Sequence, residues 1–172
     1  MTLDRIWSGW RSAYVAEAAT GANLAGDGTV FTRILAAVDR GELTDETAYV
    51  VRRGERCFAI LNAYPYGTGH LLLLPYREVA ELEDLDDDES AELWAMVGQA
   101  VRAVKRAYSP QGVNVGFNLG AAAGAGVPNH VHAHVLPRWD ADSNFMTAVA
   151  EARVLPEPLS TTWRRLVDAW PG

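Results

Sequence analysis

Seven residues, His130-Val-His132-Ala-His134-Val-Leu136, alternate imidazole with apolar side chains. Strand side chains point to opposite faces in turn, so an extended run here has one imidazole face and one apolar face. Such a segment cannot stand alone: the apolar face calls for a covering helix, and the imidazole nitrogens call for partners or a ligand. Alternate residues of a strand lie about 6.7 Å apart, so the three imidazoles make a row about 13 Å long. That is the scale of two or three linked phosphates.

The rest of the chain supplies what this strand needs. The segment 87–108 is the clearest helix, with Asp86 and Glu89 placed for a capping box and Lys105 and Arg106 in its last turn. Its stripe of Leu93, Val97, Ala100, Val101, Val104 and Tyr108 gives it one apolar face. The acidic run 84–89 reads as the solvated start of this helix. Strands are expected at 47–52, 57–62, 71–75, 113–117 and 130–136, the last stopped by Pro137. Residues 71–75 read as buried on both faces, and residues 53–56 as a hairpin turn. Short helices are expected at 31–38 and 161–170. Trp7, Trp10 and Tyr14 share a helix face or anchor an extended arm, and 19–28 reads as a flexible loop. Strands, a helix and more strands imply an α+β fold with an antiparallel sheet. At 172 residues the chain is expected to form a single domain, with an N-terminal arm at 1–30 and a core at 47–160.

Composition narrows the function. The net charge of −7 opposes general nucleic-acid binding but leaves room for a small anionic substrate in a locally positive pocket. No apolar run approaches the ~20 residues of a membrane span, and no signal-peptide pattern opens the chain, so the expected location is the cytoplasm. A single cysteine, Cys57, excludes an internal disulfide and a Cys-x-x-Cys zinc site. Three of the four histidines on one strand face are hard to explain as packing. Phosphate chemistry and a metal site, with Asp140 and Asp142 nearby, are both open. The small-residue loop 120–126, including Gly124 and Gly126, favours phosphate because backbone N–H groups can approach it closely.

The run His130-Val-His132-Ala-His134-Val-Leu136 resembles the histidine triad of the HIT superfamily of nucleotide hydrolases and transferases. Asn118-Leu-Gly120, Pro137-Arg-Trp139 and Asn144-Phe-Met146 resemble the bacterial branch related to diadenosine polyphosphate hydrolases and phosphorylases. Asn62, Tyr64-Pro65-Tyr66 and Gly69-His70 resemble that branch's upstream half-site. The resemblance implies a HIT-like fold with a five-stranded antiparallel sheet, one long helix and a short C-terminal helix. It also implies a homodimer with the long helix at or near the interface. The implied reaction is two-step cleavage of an α-phosphate bond in a dinucleoside polyphosphate, with water or phosphate as acceptor. In this pattern His132 is the nucleophile, His134 and His130 contact the α-phosphate and the leaving side, and His70 helps fix the site. Asn62 holds ribose hydroxyls or caps the loop after it. Asn118 bonds phosphate or loop, and Phe58 and Leu61 line the base pocket or belong to the core.

Two departures from the pattern stand out. Many bacterial relatives bind structural zinc through Cys-x-x-Cys and a later histidine; the matching positions here are Thr29, Thr32 and Glu78. No structural zinc is therefore expected, and any Mg2+ arrives with the substrate. Gly126 and Val127 replace the Gln or Ser found before the triad in other relatives, which leaves leaving-group help to backbone N–H groups. Two readings stand beside the enzyme: a nucleotide-binding regulatory protein with weak catalysis, and a metal-dependent enzyme using the histidine row as ligands.

Overall fold

The computed structural model describes residues 26–142 and 157–171; the expectations for Trp7, Trp10, Tyr14 and Asn144-Phe-Met146 lie outside the described residues. Along the described residues run α1 (Val30–Asp39), α2 (Asp45–Ala48), β1 (Val50–Arg53), β2 (Cys57–Leu61), β3 (Leu71–Pro75), α3 (Asp87–Tyr108), β4 (Gly112–Phe117), β5 (Ala133–Arg138) and α4 (Leu159–Ala169). The strands form one antiparallel sheet in the order β1-β2-β3-β5-β4. This is the five-stranded sheet and the α+β class expected from the sequence.

The long helix takes the bounds its pattern predicts. Asp86 accepts from the Glu89 backbone N–H while the Glu89 side chain accepts from the Asp86 N–H. A cap of this kind is worth about 1 kcal/mol. Glu89 is not solvated as the acidic run suggested. It is buried and forks onto the Arg77 guanidinium, which lowers its pKa. The stripe of α3 packs, together with Leu166 of α4, on the sheet face made by Cys57, Ala59, Leu61, Leu71, Leu73 and Val135. The opposite face carries Phe58, Ile60, Leu72 and Leu74, and α1 covers it with Phe31 and Leu35. β3 contributes to both clusters, so all five of its residues are buried.

Three boundaries differ from expectation. The stretch that begins at Thr47 opens as a helical turn, because Thr44 and Thr47 bond each other's backbone N–H groups across α2. The chain then reverses at Tyr49, whose φ is 59°. The last strand is not 130–136. The His130 N–H bonds the Val127 carbonyl and the Val131 N–H bonds the Val79 carbonyl, so these residues are tied outside the sheet and β5 starts at Ala133. At its other end β5 runs through Pro137. Pairing with β3 ends at Val135, so the proline sits opposite Val113 of β4, past the end of that ladder.

Candidate active site

His134 stands on β5 opposite Leu72, on the sheet face that α1 covers. His132 precedes the strand, with its ring centroid 5.0 Å from that of His134. His70 immediately precedes β3, and its ring lies 5.1 Å from His134 on the other side. The imidazole row of the sequence is therefore real, but its members are His132, His134 and His70. Gly69 makes the entry to His70 possible. Its φ is +79°, and a Cβ there would come 2.9 Å from Pro137 Cγ.

His130 is placed elsewhere. Its ring is fully buried, Nε2 lies 2.9 Å from the Pro75 carbonyl, and Nδ1 lies 3.0 Å from the Thr29 hydroxyl. Both nitrogens are taken, so the expected contact of His130 with phosphate has no nitrogen to make it. Its carbonyl does reach the site, 2.7 Å from Nδ1 of His132.

These partners fix the tautomers. A carbonyl only accepts, so His132 carries its proton on Nδ1 and presents the Nε2 lone pair. The Tyr66 backbone N–H donates to Nδ1 of His70 at 3.0 Å, so the His70 proton is on Nε2. That proton is donated to Nδ1 of His134, 2.9 Å away. The His134 proton must then sit on Nε2, which lies 3.3 Å from Nδ2 of Asn118. A carboxamide can turn over to receive it, and so can a phosphate oxygen in the same place. Burial lowers the pKa of His130 and His132 and brings that of His134 down to about 4, with the neighbouring His132 adding to the effect. Each shift favours the neutral imidazole. The arrangement offers one lone pair at His132 and one polarised N–H donor at His134, side by side.

The remaining expected residues divide. Asn62 is at the rim of the site, its Oδ1 accepting the Tyr64 N–H at 2.9 Å and its Nδ2 3.3 Å from Nδ1 of His70. The loop-capping role is thus present. Phe58 faces the α1 side of the sheet but is fully buried and stacked on Tyr76 at 5.2 Å. Leu61 points to the opposite face and packs in the core with α3, so it is not brought to the site. Its neighbour Ile60 takes the site-facing position, opposite Leu72. Gly124 and Gly126 are exposed, with open space where a Cβ would be. The N–H groups of Ala123, Gly124 and Ala125 turn back onto Gly120 and Ala121, so a backbone cradle in this loop begins at Gly126. The sequence reading missed Phe31, whose ring centroid lies 5.6 Å from both His130 and His132.

A metal does not suit these donors. Among the described residues no group of three His, Cys, Asp or Glu side chains is placed to hold one. Asp142 is committed to Arg138 and to the Trp139 N–H. The positions matching the zinc ligands of relatives hold the two hydroxyls of Thr29 and Thr32 and the Glu78 carboxylate, already bonded to the Thr29 N–H and the Thr32 hydroxyl. Zinc favours thiolates, imidazole and carboxylate over neutral hydroxyls, so this set does not fit it.

Comparison with known proteins agrees with the geometry. The family profile described as the HIT domain matches residues 44–141. A Mycobacterium tuberculosis protein named AP-4-A phosphorylase is 44% identical over 171 residues, covering 98% of this chain and 85% of its own. A Schizosaccharomyces pombe protein named bis(5'-nucleosyl)-tetraphosphatase (asymmetrical) is 37% identical over 84 residues, 49% of this chain and 46% of that one. Among solved structures, a zinc-bound histidine triad family protein from Mycobacterium smegmatis superposes with a TM-score of 0.62 at 26% identity, covering 79% of this chain and 91% of that one.

Proposed function

As this chain belongs to the HIT family, we propose that it cleaves a dinucleoside polyphosphate of the diadenosine tetraphosphate type at an α-phosphorus, through a nucleotidyl intermediate on His132. The observation that carries this reading is the tautomer of His132, whose Nδ1–H is held by the His130 carbonyl so that Nε2 is a neutral nucleophile. In the first step Nε2 bonds to the α-phosphorus and the bond to the bridging oxygen breaks. The triphosphate-bearing nucleotide leaves, and His134 Nε2–H, beside His132, stabilises the departing oxygen by a hydrogen bond. In the second step an acceptor oxygen attacks the same phosphorus and His132 is restored. Phosphate as acceptor yields ADP and ATP; water yields AMP and ATP.

We favour phosphate as acceptor, because the relative matched across nearly the whole chain carries the name phosphorylase. Incubation with diadenosine tetraphosphate, with and without inorganic phosphate, tests this by its products. ADP with ATP, formed only when phosphate is present, is the expected result. AMP with ATP in either case contradicts the phosphorylase reading and leaves a hydrolase. No turnover in either case leaves the nucleotide-binding regulatory reading.

The finer properties follow the same reading. Asn62, whose amide carries both a donor and an acceptor, reads the ribose hydroxyls in this scheme, and the Gly126–Val127 backbone meets phosphate. Phe58 lies beneath the base pocket, and Phe31 and Ile60 line it. The chain binds no structural zinc, and Mg2+ arrives as the counter-ion of the polyphosphate. Its partner is a second copy of itself. The supporting features are the edge strand β4, with Val115 exposed, and the exposed Trp94 of α3, whose ring packs edge-on against Phe117. No described helix is long and apolar enough to cross a membrane, and a free nucleotide as substrate supports a reaction in the cytoplasm.

A further inference from the structure

The start of α1 is tied to the catalytic histidines by a set of bonds that the reaction scheme does not use. Glu78, just beyond β3, accepts from the Thr29 N–H at 2.6 Å and from the Thr32 hydroxyl. The first-turn hydroxyl of Thr32 also lies 2.9 Å from the Thr29 carbonyl. Room for the carboxylate depends on Gly28, which has a φ of +90° and whose Cβ would overlap Glu78 Oε1 and crowd the Thr32 hydroxyl at 2.6 Å. Thr29 occupies the N-cap position of α1 but its hydroxyl caps nothing. The hydroxyl goes to His130 instead. His130 spends its Nε2 proton on the Pro75 carbonyl, so its Nδ1 can only accept, and Thr29 must be the donor.

We propose that Thr29 and Glu78 are positioning residues for the nucleophile. Glu78 locks residues 29 and 32 at the head of α1. The Thr29 hydroxyl then fixes the ring and tautomer of His130, and the His130 carbonyl holds His132 with Nε2 directed at the substrate. Phe31, carried by the same turn of helix, packs against both rings and transmits the same constraint. Hydrogen bonds among Thr29, Thr32 and Glu78 do the orienting work here, much as outer partners orient the ligands of a metal site. The proposal rests on His132 being the nucleophile of the proposed reaction, but its first test does not need turnover.

That test is a long-range proton–nitrogen correlation spectrum of the histidine rings in the whole protein, with the Thr29→Val and Thr29→Ser variants. Valine keeps the shape and removes the hydroxyl, whereas serine retains it. The wild type should show His130 protonated on Nε2 and His132 on Nδ1. Thr29→Val should disturb both signals, and Thr29→Ser should restore them. In turnover of diadenosine tetraphosphate, Thr29→Val should lower kcat about tenfold with KM within about twofold, and Thr29→Ser should recover most of the loss. Unchanged ring signals in a folded Thr29→Val protein overturn the proposal, as does a loss of activity that serine does not repair. One zinc per chain whose removal shifts the His130 ring signals also overturns it, because the metal would then hold His130 in place of the Thr29 hydroxyl. If the wild type shows these tautomers but turns over no dinucleotide, the reaction assignment fails while the positioning network stands.

Discussion

Replacing His132 by alanine is expected to lower turnover of diadenosine tetraphosphate by several orders of magnitude. The reason is specific to its place in the row. His134 is the nearest imidazole, but its Nδ1 is committed to His70 and its Nε2 carries a proton, so it offers no lone pair toward the phosphorus. His130 is buried with both nitrogens bonded. No neighbour can therefore substitute as nucleophile. Because the nucleophile contributes chiefly in the transition state, nucleotide affinity should stay within about tenfold of wild type. Equilibrium binding of a non-hydrolysable analogue, measured beside single-turnover rates, separates the two effects. Near-normal turnover in a folded His132→Ala protein would mean that no covalent histidine intermediate is needed.

His70→Ala is expected to cost about a hundredfold in kcat, although His70 makes no bond to the phosphorus in this scheme. The Tyr66 N–H sets the His70 tautomer, and His70 then sets that of His134. Without that donor, His134 is free to carry its proton on Nδ1, and its Nε2 becomes an acceptor facing an anionic leaving group. Substrates whose leaving group spreads its charge away from the departing oxygen, such as a nucleoside phosphate ester of a nitrophenol, lean less on that donor and should be much less affected. Comparing the two substrates on one variant checks the assignment. An equal loss on both would show that His70 supports the fold of the site and not the His134 donor.

How much of this was legible beforehand depends on the range of the interactions involved. The long helix was readable because its cap, its dipole-matched charges and its apolar stripe are all local to residues 86–108. The strands at 57–61 and 71–75 were readable from short apolar runs bounded by loop residues. The opening of β1 was misread because Thr47, a residue that favours strands, spends its hydroxyl on the cap of α2. At the triad, alternation correctly announced a histidine row, yet it assigned the wrong third member. His130 is drawn out of the row by Thr29, 101 positions away, and by Pro75, 55 positions away. Period-two patterning carries no information about bonds of that length. Leu61 and Ile60 illustrate a subtler limit: both are apolar and adjacent, and only the register against Leu71 and Leu72 decides which one faces the site.

The central claim is that the α-phosphorus is displaced twice, first by His132 and then by the acceptor. The stereochemical course of the reaction tests it most directly. A dinucleotide made chiral at the α-phosphorus with sulfur and oxygen isotopes is turned over, and the configuration of the nucleotide product is determined. Each in-line displacement inverts the phosphorus, so two in succession should give a product with overall retention. Overall inversion would show a single direct transfer to the acceptor and would contradict the covalent role of His132.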